Sequence, residues 1–257
     1  MTEFESEMSR RIADAAADEN LHAATTQFMR ASIASKYSYN FSWLGRPIIQ
    51  YPQDMVAMQE LIWAVKPDLI IETGIAHGGS LILSASMLAL LDVCDAIETG
   101  STLDPKRSAR KVLAVDIDIR SHNREAIEIH PMASRVQMIQ GSSIDEAVLD
   151  QVRTVAGGYK RVLVCLDSNH THSHVLAELQ AYAPLVTPGS YCVVFDTIVE
   201  DLPNELSFGR PWGPGGNPKT AALEYLKEHP EFEIDQGIHD KLQITVAPSG
   251  FLKRSLK

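Results

Sequence analysis

Positive charge is scarce in this chain of 257 residues and nowhere gathered: 23 Lys and Arg stand against 33 Asp and Glu, a formal net charge of −10. A surface of that kind argues against nucleic acid as a partner, because phosphate contacts need clustered cations. Cysteine is equally sparse. Cys94, Cys165 and Cys192 form neither a CxxC nor a zinc-ligand spacing, and an odd number without pairing logic fits a reducing compartment. Cys165 and Cys192 lie inside apolar runs and read as small core residues. The acidic, polar N-terminus lacks the form of a secretory signal, and apolar stretches are punctuated before the roughly 18 residues that span a bilayer. These absences lead us to expect a cytoplasmic protein with no membrane partner. No internal repeat or low-complexity segment is visible.

What is present is an alternation of strand and helix signals. With 45% apolar and 22% charged residues, the composition suits one soluble α/β domain over residues 1–257. Residues 5–35 carry apolar positions at three- and four-residue spacing, predicting one or two amphipathic helices. An aromatic loop follows, Tyr37-Ser-Tyr39-Asn-Phe41-Ser-Trp43-Leu-Gly45-Arg46-Pro47, which would either pack over a core edge or act as a lid. Residues 1–50 are thus a segment ahead of the core at 51–257. Asp54 is read as the N-cap of a helix through Trp63. Strands are then expected at 69–72, 111–118, 136–140, 161–167 and 190–196. The intervening helices start near Gly79 (to Leu91), Ser121, Asp145 and Ser173, with a polar excursion over 97–110. A helix at 218–228 precedes two closing strands, 232–235 and 242–247, expected to pair as an antiparallel hairpin. Repeated βα units followed by such a pair predict a mostly parallel sheet of seven strands covered on both faces.

The most informative stretch is Leu69-Ile-Ile-Glu72-Thr73-Gly74-Ile-Ala-His77-Gly78-Gly79-Ser80: a buried strand, a Gly-rich bend and the start of a helix. That geometry lets a ligand approach the backbone at the carboxyl edge of a parallel sheet. No Lys follows the glycines, so the bend suits a cationic or neutral nucleoside better than a triphosphate. Its spacing also departs from the G-x-G-x-x-G dinucleotide fingerprint, which disfavours an NAD-dependent reductase. Asp116, with Ile117 and Asp118 beside it, closes the second strand, where a carboxylate could accept ribose hydroxyls or cap the next helix. Gly141, Ser142 and Ser143 end the third strand, either as an adenine platform or as a simple turn.

Asp167-Ser-Asn-His170-Thr-His172-Ser-His174 leaves the fourth strand, and Asp196 closes the fifth. Asp167 and Asp196 can converge on a hard cation such as Mg²⁺, which prefers oxygen ligands. His170 would face the same crevice as a general base, or else cap a helix. His172 and His174 are expected on the helix surface. Residues 197–218, with Glu200, Asp201, Trp212 and Gly213-Pro-Gly-Gly-Asn217, are too long and too rich in Gly and Pro for a mere connector. Trp212 would stack on a sugar or ring acceptor, or anchor the loop.

Four segments, Trp43–Pro47, Ile71–Ser80, Leu166–His172 and Val194–Asp196, resemble the cephalosporin hydroxylase-like proteins, a family that includes rhamnosyl and other sugar O-methyltransferases. The resemblance runs from about Tyr37 to Arg254. It implies a class I, Rossmann-like fold dependent on S-adenosylmethionine, with the cofactor in a crevice formed by Glu72, Thr73, Gly74, His77, Gly78, Ser80, Asp116, Ile117, Asp118, Gly141, Ser142, Ser143 and Asp167. It also implies Mg²⁺ on Asp167 and Asp196, catalysis by His170 with Asp167, and an acceptor sugar among Tyr39, Asp196, Glu200 and Trp212. The family's acidic pair is broken here, since Phe195 stands where relatives have the first acid; that ligand is either absent or supplied by Glu200, Asp201 or water. S-adenosylhomocysteine would be the product. The acceptor would be a small sugar or glycosylated molecule, and the N-terminal helices with the acidic surface point to a homo-oligomer. Phe195 also leaves open a non-catalytic nucleoside-binding subunit, and the family name a β-lactam-modifying hydroxylase.

Overall fold

The computed structural model describes residues 2–256. Two helices come first, α1 (Glu3–Ala17) and α2 (Glu19–Ala34). Each is started by a side chain that accepts backbone N–H groups, Thr2 in a capping box and Asp18 at the second helix. The aromatic loop is more ordered than its composition suggested. It folds into a small antiparallel hairpin, β1 (Phe41–Trp43) and β2 (Arg46–Ile48), with Leu44 and Gly45 both at positive φ in the two-residue turn.

Helix α3 (Pro52–Val65) leads to the first strand of the main sheet, β3 (Leu69–Thr73), and then α4 (Gly79–Thr99). The βα rhythm continues through β4 (Lys111–Asp116), α5 (Ser121–Glu128), β5 (Val136–Gln140), α6 (Glu146–Ala156), β6 (Val162–Leu166), α7 (His172–Tyr182) and β7 (Tyr191–Val194). The chain closes with α8 (Pro218–Glu228), β8 (Phe232–Ile234), α9 (Gln236–Leu242) and β9 (Phe251–Arg254). The seven-stranded sheet runs β5-β4-β3-β6-β7-β9-β8, with β9 alone running against the direction of the other six. Mixed order and covered faces agree with the expected architecture.

Alternation along the strands sorts side chains into two cores. Ile70, Val112, Leu163 and Cys165 pack toward α3 and α4, whereas Leu69, Ile71, Val162, Val164 and Leu166 pack toward α6, α7 and α8. Strands buried on both faces therefore carry apolar runs, Leu69–Ile71 in β3, Val162–Leu166 in β6 and Tyr191–Val194 in β7.

Three expectations need correction. Residues 242–247 are not a strand: α9 ends at Leu242 and the chain is irregular after it, and β9 lies further on, at 251–254, inserted between β7 and β8 rather than joined to β8 by a tight turn. Helix α4 runs to Thr99, not Leu91, so the polar excursion is shorter than expected. It is the one described helix long and apolar enough to cross a membrane by length and composition, and much of it is buried inside the protein. Asp54 does not cap α3. Tyr51 holds that position, while Asp54 is fully buried in the first turn and accepts hydrogen bonds from the Thr245 hydroxyl and from Val246 N–H at 3.0 Å.

Candidate active site

At the carboxyl end of the sheet, β3 and β6 separate around the Gly-rich bend. Gly74 sits at φ +90°, and a Cβ there would lie 2.1 Å from the Asp167 carbonyl oxygen, so only glycine lets the two strand exits pass this closely. Side chains from three other elements hold the bend. Asp116 accepts the Ile75 N–H at 2.7 Å through one carboxylate oxygen and the Asp118 N–H at 3.0 Å through the other. Asn123 of α5 donates to the Ala76 carbonyl at 2.9 Å. Arg46, reaching down from β2, donates to the His77 carbonyl and to Asn123 Oδ1.

The bend lines a cavity of about 310 Å³ together with Asp116, Ile117, Ser142 and Ser143. Of the residues expected around a nucleoside, Gly74, His77, Ser80, Asp116, Ile117, Ser142, Ser143 and Asp167 border this space. Ile117 is 72% exposed, an apolar face held beside the Asp116 carboxylate. The others lie off the cavity wall. Glu72 and Thr73 are buried below the floor, where Glu72 accepts the Ser84 hydroxyl and burial raises its pKa. Gly78 opens α4, and Gly141 packs on Val148. Asp118 is exposed and faces Arg120. Neither Asp116 nor Asp118 caps α5, whose N-cap position is held by Arg120.

A second cavity, of about 410 Å³, adjoins the first, and Ile49, Gln50, Ala76, Asp167 and Ser168 border both. Asp167, His170 and Asp196 stand on its wall, with their candidate ligand atoms within 4.8 Å of one another, the one such cluster among the described residues. His170 Nε2 lies 3.3 Å from Asp196 Oδ2. Burial raises the Asp167 pKa well above the ordinary carboxylate value, and the charges of Asp196 and Glu72 push it further. A cation between Asp167 and Asp196 would relieve that repulsion. Two carboxylates with space beside them match the way Mg²⁺ is commonly held, through one or two carboxylates with water or substrate oxygens completing its shell. Phe195 therefore does not exclude the ion; its ring is buried in the core.

Trp212 packs edge-on against His170, ring centroids 5.0 Å apart, and the Arg210 guanidinium lies over its ring. Tyr39 borders the same cavity and is half exposed. Glu200 does not border it. Its carboxylate accepts the Gly215 N–H at 2.7 Å and the Asn217 amide, holding the loop in shape. Asp201 is paired with Lys219 at 2.8 Å. Neither replaces the acid missing at Phe195.

The three histidines diverge. His172 hydrogen-bonds Thr220 at 2.8 Å and so joins α7 to α8. His174 corrects the surface expectation: it borders the nucleoside cavity, with Nε2 3.1 Å from Ser143 Oγ and 3.2 Å from Ser168 Oγ. Glu178, fully buried one turn further on, accepts the Ser168 hydroxyl at 2.7 Å. The i, i+4 spacing of His174 and Glu178 was a legible signal for this network. Arg46 and Gln50 were missed as site residues, because nothing local marks a side chain that works across the fold.

The family described as rhamnosyl O-methyltransferase/CmcI matches residues 35–255. The rhamnosyl O-methyltransferase of Mycobacterium tuberculosis H37Rv is 32% identical over 207 residues, 79% of this chain and 73% of its own. That of Mycobacterium leprae is 30% identical over 217 residues, covering 83% and 82%. Among solved structures, CmcI with Mg and SAM superposes with a TM-score of 0.53 at 17% identity, over 84% of this chain and 77% of that one. CalS11, a TDP-rhamnose 3'-O-methyltransferase of calicheamicin biosynthesis, gives 0.52 at 14% identity over 99% and 95%. At such identities the likeness is one of fold, the class I methyltransferase fold.

Proposed function

Since the chain belongs to the rhamnosyl O-methyltransferase/CmcI family, and is with it an S-adenosylmethionine-dependent O-methyltransferase, we propose that it methylates a hydroxyl of a rhamnose-like deoxyhexose, nucleotide-linked or carried on a natural product or glycan. One observation carries this reading: the nucleoside cavity and the acceptor cavity share a wall at Asp167 and Ser168. A methyl donor in one can thus face an alcohol in the other. The chain would act as one methyltransferase domain, residues 1–50 closing over the acceptor cavity and residues 197–218 forming its acceptor loop. Exposed Phe4, Met8, Leu21 and Phe28 on α1 and α2 support a homo-oligomer.

Asp116 has lone pairs left after its two backbone bonds and would accept the ribose hydroxyls, while Ile117 covers the adenine ring. When bound, the cofactor supplies an electrophilic methyl group, and Mg²⁺ supplies a Lewis acid that acidifies the alcohol. Asp167 and Asp196 would hold the ion. The sugar would rest against Trp212 and Tyr39, which fix the angle at which its hydroxyl enters. His170 would take the hydroxyl proton, and the Asp196 carboxylate beside it would balance the charge the imidazole gains. Holding the reacting atoms in line accounts for much of the acceleration, since oriented reactions gain about 7–11 kcal/mol.

The test is transfer of a labelled methyl group to nucleotide-linked rhamnose and to rhamnosylated natural products, with and without EDTA. Transfer that stops on chelation and returns with Mg²⁺ is the expected result. Undiminished transfer after chelation takes the ion out of this account. Failure on every rhamnoside overturns the acceptor class.

A further inference from the structure

The wall of the acceptor cavity carries charge of both signs. Its acids and its histidine, Asp167, Asp196 and His170, form the candidate metal cluster; its cations, Lys36 and Arg210, stand outside that cluster. Lys36 comes from just past α2 and Arg210 from the loop between β7 and α8. Other lysines have acids beside them, Lys219 pairing with Asp201 and Lys241 with Glu60. Lys36 and Arg210 instead lie over aromatic rings, Nζ 6.0 Å from the Tyr39 centroid and Cζ 5.3 Å from that of Trp212. Such a contact orients a cation without cancelling its charge. In a chain of net charge −10, two such cations on one cavity wall run against the general balance.

A deoxyhexose carries no charge, so by itself it gives these cations nothing to pair with. An anionic substituent on the sugar would. Trp212 touches both the proposed base and the guanidinium, its ring centroid 5.0 Å from that of His170. A sugar lying along this indole with a hydroxyl at His170 would carry its anomeric substituent across the ring, toward the cations. Arg matches phosphate oxygens with a planar fork of donors, and Lys adds a point charge.

We propose that the acceptor sugar is linked through a diphosphate, and that Lys36 and Arg210 form the subsite for that anion. The proposal rests on the acceptor reading given above and narrows it to the nucleotide-linked form. The two cations would also draw an anion into the cavity of a protein that is otherwise negative.

Two measurements test the subsite. The first is calorimetric titration of thymidine diphosphate and of thymidine in EDTA, where no ion at Asp167 and Asp196 can hold phosphate. The diphosphate should bind more tightly than thymidine, and Lys36→Gln and Arg210→Gln should each weaken it about tenfold or more. Arg210→Lys, which keeps the charge, should recover part of the loss. Both side chains are exposed, so the variants should melt with wild type. The second is methyl transfer to thymidine diphosphate-rhamnose, rhamnose 1-phosphate and methyl rhamnoside. The kcat/KM ratio of the diphosphate sugar over the neutral rhamnoside should be about a hundredfold or more, and should fall about tenfold or more in each Gln variant. Diphosphate binding no tighter than that of thymidine, no loss in either Gln variant, or a preference for the neutral rhamnoside would each overturn the subsite. Rhamnose 1-phosphate serving as well as the diphosphate sugar would overturn the diphosphate. Failure of every rhamnoside, with charge-dependent binding of thymidine diphosphate intact, would instead remove the rhamnose reading and support the anion subsite alone.

Discussion

Asp54 and His170 show how differently two polar residues near one crevice can be employed. Burial raises the Asp54 pKa from 3.8 to about 7, with the Thr245 and Val246 hydrogen bonds offsetting part of the effect. The folded protein therefore holds that proton more tightly than the unfolded chain does. The stability this contributes is fully present below about pH 4 and is lost as pH climbs to about 7. Measured as the difference between wild type and Asp54→Asn in urea unfolding, the balance should move toward the variant across that window, by on the order of 2–4 kcal/mol. A gap that stays flat with pH would show that Asp54 is not protonated at low pH in the way described. For His170→Ala, the expected loss is about 10²–10⁴-fold in kcat with S-adenosylhomocysteine affinity unchanged; a normal turnover would remove the base. His170 was legible because it follows a strand-closing acid by three residues. Asp54 was misread because its partner lies 191 positions further along the chain, and local sequence carries no trace of such a bond.

Among elements, the hairpin β1–β2 matters most, because it clamps the nucleoside bend from above. Gly79, the first residue of α4, lies directly under it: an added Cβ would come 2.3 Å from the Pro47 carbonyl oxygen and 2.6 Å from Ile48 Cβ. Gly79→Ala should therefore push the hairpin away and cost about 1–3 kcal/mol, with weaker S-adenosylhomocysteine binding as Arg46 loses its grip on His77. Unchanged stability and affinity would mean the hairpin is not pressed on the bend. The strands of the βα units were readable from their apolar runs, and α8 was placed at its observed bounds. Failure came at Leu242–Ala247, where Leu242, Ile244 and Val246 alternate as in a strand. There the apolar side chains pack toward α3 and the core as a short helix and an irregular segment, with Asp54 accepting the Val246 N–H and Ile198 donating to the Val246 carbonyl in place of a neighbouring strand.

At the scale of the whole molecule, the N-terminal helices differ in how far they belong to the core. No residue of α1 is buried, whereas α2 contributes Met29 and Ser32, the latter hydrogen-bonded to the Tyr51 hydroxyl at 2.7 Å. Deleting residues 2–17 should change unfolding free energy by less than about 1 kcal/mol. Deletion through Ala34 should cost about 3 kcal/mol or more, from the lost packing of Met29 and the orphaned Tyr51 hydroxyl. Equal costs for the two deletions would contradict the burial pattern. No helical period reveals this contrast, because it depends on which surface the helix meets.

The placement of β9 has a further consequence, for the order of events during synthesis. Strand β8 is at the sheet's edge, and its sole neighbour is β9, so β8 stays unzipped, and one margin of β7 bare, until residues 251–254 leave the ribosome. Until then a nascent chain would present an open β-margin, an interval in which a chaperone able to cap it would matter most.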